Sequence, residues 1–165
     1  MSPRVAGFLV AAMTLVVDQA NKLWLLDVFD IEARQPVRLA PFFDVIAARN
    51  PGISYSLLSA HSPAARWALV GFTVLATALI GVWLWRTTTR VVALALGLIV
   101  GGALGNAIDR FSYGWVADFY YFHVGDFHWY VFNLADVAIV AGVGLLLIDA
   151  FFLTARPVAG ARYEP

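Results

Sequence analysis

The chain has 165 residues, 61% of them hydrophobic and 13% charged, with a mean hydropathy of +0.77. A soluble domain is normally about 45–50% apolar with about 25% charge, so a water-soluble globule is excluded and lipid must solvate much of the surface. Formal net charge is zero with no basic stripe, which speaks against a nucleic-acid partner. The absence of cysteine removes disulfides, thiolate metal sites, a cysteine nucleophile and a lipid-attachment residue.

The N-terminus, Met1-Ser2-Pro3-Arg4 followed by an apolar run, imitates a signal peptide. No small-x-small site closes the run; Asp18-Gln19-Ala20-Asn21-Lys22 interrupts it and Leu23-Trp24-Leu25-Leu26 resumes it, so a retained transmembrane helix is expected. A helix needs about 20 apolar residues to cross the hydrocarbon core. Four segments come close: about 5–26, 65–85, 91–108 and 135–153. The expected architecture is an all-α membrane protein of one domain over 1–165, with four transmembrane helices.

The linker Arg86-Thr87-Thr88-Thr89-Arg90 is short and basic, and Arg4, Arg156 and Arg162 fall on its side. The opposing loops carry Arg34, Arg38, Arg49 and Arg110. The resulting bias puts both termini in the cytoplasm. The long outer segments are then 27–64 and 109–134. In the first, Pro36-Val37-Arg38-Leu39 and Phe42-Phe43-Asp44-Val45-Ile46-Ala47-Ala48-Arg49 have partial alternation and β-branched residues, and Asn50-Pro51-Gly52 signals a turn. A small extracytoplasmic β-sheet is expected there. The second is rich in aromatics from Phe111 to Phe132 and is expected as a loop in the headgroup zone.

Carboxylates are costly at membrane depth and usually mark function. Asp18 and Lys22, spaced i, i+4, share a helix face and can pair, either to neutralise a charged face or to brace a site. Gly101-Gly102, Gly105 and Asn106 suit close helix packing with a hydrogen bond across it. Asp109-Arg110 reads as a pair at the end of the third span, with the guanidinium holding carboxylates. Asp136 follows Asn133 at the start of the fourth span, where a carboxylate also favours the positive helix end. Asp118 lies between Trp115-Val116-Ala117 and Phe119-Tyr120-Tyr121 with no local partner. If the aromatic segment folds back, Asp118 and Asp136 meet at the membrane surface. Two carboxylates in one site hold a single proton between them and can activate water and protonate a leaving amine.

Other chemistries fit less well. His61, His123 and His128 lack an H-E-x-x-H spacing, so no metal or other cofactor is expected. No serine has a G-x-S-x-G context, and Gly101–Gly105 lies within a span rather than after a strand, against a dinucleotide loop. A small proton-coupled transporter using the same acids is the alternative; it requires polar residues continuing across the spans, and the second span offers only Thr73 and Thr77. A structural membrane adaptor is a third reading, in which the acids are dispensable.

The sequence resembles lipoprotein signal peptidase, or signal peptidase II. The resemblance covers nearly the whole chain in order: Val17-Asp18-Gln19-Ala20-Asn21-Lys22-Leu23-Trp24, Arg49-Asn50-Pro51-Gly52, Gly101 to Arg110, Val116-Ala117-Asp118-Phe119 and Phe132-Asn133-Leu134-Ala135-Asp136. It implies a four-helix inner-membrane aspartic endopeptidase that cleaves diacylglyceryl-modified prolipoproteins just before the lipidated cysteine, with substrate and membrane lipid as its partners and its site near the outer face. By motif, Asp118 and Asp136 are the implied catalytic pair, supported by Asp18, Lys22, Asn50, Gly52, Asn106, Asp109, Arg110, Asn133 and Ala135. Arg110 is expected to keep Asp109 ionised as a brace. The chain departs from the usual pattern at Asn21, Pro51, Ile53-Ser54-Tyr55 and Val137, none of which removes a carboxylate.

Overall fold

A computed structural model describes residues 1–52 and 63–153. His61, Ile53-Ser54-Tyr55, Arg156 and Arg162, all used above, lie outside the described residues. Ser2 caps α1 (Pro3–Leu23), where Pro3 is preset for the first turn, and a π-helical turn, Trp24–Val28, extends it. A short α2 (Ile31–Arg34) leads to β1 (Val37–Ala40) and β2 (Phe43–Asn50). Helices α3 (Pro63–Arg86) and α4 (Arg90–Ser112) follow, then β3 (Val116–Val124), β4 (Phe127–His128) and α5 (Leu134–Ile148), which runs on through Leu153 in π geometry. Among the described residues, four helices are long and apolar enough to span a membrane: Pro3–Val28, Trp67–Arg86, Arg90–Ser112 and Leu134–Leu153.

Helix α4 is the centre of the bundle. Most of it is buried, whereas the other three spans are mostly exposed. Without a hydrophobic drive between helices in lipid, close backbone approach must supply the packing. Glycines four apart make that approach: a Cβ on Gly97 would strike the Gly7 carbonyl of α1, and one on Gly101 would lie 2.5 Å from the Ala11 carbonyl. On another face a Cβ on Gly102 would lie 2.5 Å from the Ala135 carbonyl of α5, and Gly142 of α5 meets the Ala95 carbonyl in the same way. The small-residue packing expected of 101–105 is therefore observed, and it clamps α4 between α1 and α5.

One end of the bundle is closed by the basic turn: Arg4 lies over the Trp85 ring at 5.4 Å, and Trp85 packs on Phe8. The other end carries an antiparallel sheet of order β1-β2-β3-β4. The first long connecting segment supplies two strands, as expected. The second also supplies two, where the sequence suggested only an interfacial loop. Val116–Val124 is dense in aromatic and β-branched residues that fit a half-buried pleat, and Gly125, at φ 56°, gives the left-handed backbone for the return to β4. A shift in the β2–β3 register between Val45 and Ala48 brings Ala48 opposite Asp118. Leu25, Ile31, Val45, Ala117 and Phe119 pack beneath the sheet as its own small core.

Gly97→Val should force α1 off α4, because the obstructing atom is backbone and cannot rotate away. A loss of about 1–3 kcal/mol is expected, read as a lower thermal midpoint in detergent. The same change at Gly81, which has nothing within 4 Å of its Cβ position, should leave the midpoint nearly unchanged.

Candidate active site

The sheet-side mouth of the bundle holds a polar network built from α1, α4, β2, β3 and α5. At its base, Lys22 Nζ lies 2.8 Å from Asp18 Oδ2 and 2.8 Å from Asp109 Oδ2, and it donates to Asn106 Oδ1 at 3.2 Å. All three charged side chains are buried. The i, i+4 pair expected of Asp18 and Lys22 is thus present. Asp109 gains a partner the sequence did not suggest, Lys22 across the helix contact, in addition to the favourable charge of the adjacent Arg110.

The braces continue outward. Asp18 Oδ1 accepts from the Ala135 amide at 3.0 Å, and its other oxygen occupies the space that a Gly105 side chain would need. Asp109 Oδ2 also accepts from the Ala117 amide at 3.1 Å. Two acids on two helices therefore position the starts of α5 and β3. Gln19, absent from the sequence-derived site list, closes the same knot by donating to Asp109 Oδ1 at 2.9 Å and to the Gly105 carbonyl at 3.2 Å. Its signal was present: it sits between Asp18 and Lys22 and is i, i+3 to the lysine. Asn21 accepts from the Tyr120 hydroxyl at 3.0 Å, tying α1 to β3.

Asp118 and Asp136 come together above this base. Tyr120 on β3 exchanges backbone hydrogen bonds with Phe132 at 2.9 and 3.0 Å, which seats residue 133 beside residue 118. Asn133 caps α5 in a capping box: its side chain accepts from the Asp136 amide at 3.0 Å, while Asp136 Oδ2 accepts from the Asn133 amide at 3.2 Å. The helix-end role considered for Asp136 is therefore real and coexists with its place in the site. The Asn133 amide group donates to Asp118 Oδ1 at 2.7 Å and to Asn106 Oδ1 at 3.0 Å, and Asn106 donates to Asp136 Oδ1 at 2.9 Å. Asn50 donates to Asp118 Oδ2 at 3.1 Å and accepts the Gly52 amide in an Asx turn. Arg110 fastens that turn by donating to the Gly52 carbonyl at 2.8 Å and reaches the Asn106 carbonyl at 3.3 Å.

Every residue of the sequence-derived list thus joins one connected network. Asp118, without a local partner in the sequence, acquires two amide donors from distant segments. Burial pushes its carboxyl up to about 7, and the Asp136 charge adds to the rise while the bonds from Asn50 and Asn133 oppose it. Asp136 is more open than Asp118 and lines two cavities. One, of about 260 Å³, is also lined by Asn50, Asn106, Arg110, Val116 and Tyr130. The other, of about 360 Å³, is walled by Trp129, Tyr130, Phe132, Val137, Val140 and Ala141.

Fold and site together define a multi-pass membrane protein with a hydrogen-bonded carboxylate pair at one mouth of its helix bundle. The sequence profile for the Signal peptidase (SPase) II family matches residues 10–152. Two relatives, each named lipoprotein signal peptidase, are 70% identical in Beijerinckia indica, over 92% of this chain and 90% of the relative, and 67% identical in Methylocella silvestris, over 92% and 89%. A bacterial membrane enzyme solved by the in meso method at 2.3 Å resolution superposes with a TM-score of 0.71 at 24% identity, covering 92% of this chain and 93% of that one. The chain belongs to the signal peptidase II family, a family of aspartic peptidases. These matches set aside the transporter reading.

Lys22→Met should leave Asp18 and Asp109 buried without their shared cation. A cost of about 3–5 kcal/mol is expected for such a broken buried pair, seen as a large drop in thermal midpoint in detergent.

Proposed function

We propose that the chain removes the signal peptide from diacylglyceryl-modified prolipoproteins, cutting just before the lipidated cysteine, with Asp118 and Asp136 as its catalytic pair. The observation that carries this reading is the tie made by Asn133, which donates its side chain to one carboxylate and its backbone amide to the other. That tie holds two acids in one site, and a raised Asp118 suits a pair that keeps one proton between them near neutral pH.

In this mechanism the ionised acid takes a proton from a water as its oxygen attacks the scissile carbonyl. The protonated acid hydrogen-bonds the developing oxyanion. The carbon–nitrogen bond then breaks as the departing amine accepts a proton from the pair. Asn50, Asn106 and Asn133 orient the carboxylates, and Arg110 acts indirectly by fixing the Asn50 turn. Substrate lipid that stays in the bilayer presents the scissile bond at a fixed depth, which contributes proximity without a deep pocket. The orientation that serves this reaction has both termini in the cytoplasm of a bacterial inner membrane and the sheet at the outer face. It is supported by the gathering of Arg4, Arg86 and Arg90 at the end opposite the sheet.

Asp118→Asn and Asp136→Asn, each inserted normally in the membrane, should abolish the lower-mass product in a gel-shift assay with a diacylglyceryl-modified prolipoprotein. Cleavage retained by either variant would remove that residue from the pair.

The pH dependence has a defined sign. A folded-state value near 7, against about 3.9 for a free aspartate, means that folding favours protonated Asp118. Its contribution to stability is complete below about 4 and is lost as pH rises through about 7. Activity of a one-proton pair should likewise fall as pH rises through about 7. Asn50→Ala removes a donor that favours the charged form, so the alkaline limb of kcat/KM should move to higher pH. A limb unmoved by that substitution would separate Asn50 from the titration.

A further inference from the structure

The end of the bundle opposite the sheet gathers cations from three helices. A Cβ on Gly7 of α1 would strike Leu84 of α3 and the Ala93 carbonyl of α4 together, so the three helices converge at that level. Leu84 and Ala93 are fully buried there. Arg4 and Arg90 each lie three residues further out, on the helix faces that make the junction, and Arg86 lies two residues beyond Leu84 in the last turn of α3. All three arginines are exposed, and no carboxylate among the described residues lies within ion-pair distance of them. Asp149, at the end of α5, is the one acid on this side among the described residues. Beside the cations lies an exposed aromatic surface. Arg4 covers the Trp85 ring, which packs at 6.2 Å on Phe8, and the two rings are 61% and 40% exposed on the lipid side of the spans.

We propose that this junction binds an anionic phospholipid. Arg4, Arg86 and Arg90 hold its phosphate, and the start of its acyl chains lies along Trp85 and Phe8. Guanidinium forks match phosphate oxygens in pairs, which a surface of scattered charge does not. A zwitterionic lipid carries the same phosphate with a cation of its own, which three arginines repel. Phosphatidylglycerol, and cardiolipin with its two phosphates, carry no such cation and fit the excess of positive charge. Helix α3 contributes nothing to the polar network at the other mouth, so a phosphate shared by three helices clips it to α1 and α4. Each arginine near an anionic headgroup contributes about fivefold in affinity.

The test uses the full-length protein in neutral detergent, with cardiolipin, phosphatidylglycerol or phosphatidylcholine added, read by native mass spectrometry and by thermal midpoint. No cleavage is measured, so the result is independent of the catalytic pair. Wild type should retain the two anionic lipids over phosphatidylcholine by about tenfold or more, and both should raise the midpoint. Arg4→Gln with Arg86→Gln and Arg90→Gln should weaken that binding on the order of 100-fold and abolish the rise. If the triple variant does not fold, Arg4→Gln with Arg90→Gln should weaken it about 25-fold. Arg34→Gln with Arg38→Gln and Arg49→Gln removes the same charge at the sheet end and should leave binding intact. An equal loss in the two triple variants reduces the effect to net charge and overturns the site. Wild type without preference for anionic lipids overturns it too, and a midpoint rise from inorganic phosphate alone as large as that from the lipids overturns the lipid as its occupant.

Discussion

Lys22 is held between Asp18 and Asp109 at 2.8 Å on each side, in a place that solvent scarcely reaches. Much of the mouth of the bundle depends on that arrangement. A lone ammonium or carboxylate at this depth would carry a heavy desolvation cost, so the three groups require one another and require α1 and α4 to stay in contact. The spare acceptor capacity of the two acids then reaches the Ala135 and Ala117 amides. Those amides belong to the first turn of α5 and the start of β3, the elements that carry Asp136 and Asp118. A buried ion cluster thereby becomes a positioning device for the pair above it.

The glycine contacts make this possible. Gly105 leaves room for the Asp18 carboxylate against α4, and Gly97 and Gly101 let α1 approach closely enough along its length. The asparagines finish the construction. Asn106 meets Lys22, Asn133 and Asp136, while Asn133 meets Asn106, Asp118 and Asp136. Such a connected polar network in a low-dielectric setting is rigid because each member would be costly to leave unpaired. Rigidity at Asp118 and Asp136 suits the catalytic role proposed for them.

The acids divide by the kind of partner each finds. Asp18 and Asp109 face a buried cation and backbone amides, which suits a fixed charge. Asp118 and Asp136 face asparagine amides, and burial together with the Asp136 charge raises Asp118 despite the opposing bonds from Asn50 and Asn133 and the more distant Lys22 charge. The sequence placed Arg110 beside Asp109, where its charge acts on that acid, but gave no sign of the ion pair with Lys22, which is made across the helix contact.

The amino-acid sequence by itself determined the four spans, since about 20 apolar residues in a row have few other fates, and the packing use of the glycines in 101–105. Its ordered motifs also carried the identity of every acid in the site and the Asp18–Lys22 pair, which local helical geometry dictates. Tertiary structure alone decided that the aromatic segment 116–124 is a strand rather than a loop, because its partner is β2, more than 60 residues away in the chain. It also decided the Lys22–Asp109 pair, the entry of Gln19 and the place of Tyr130 between two cavities. Each of these is a contact between segments distant in sequence, whose relative placement is set by helix packing and strand register and leaves no periodic signal in the chain.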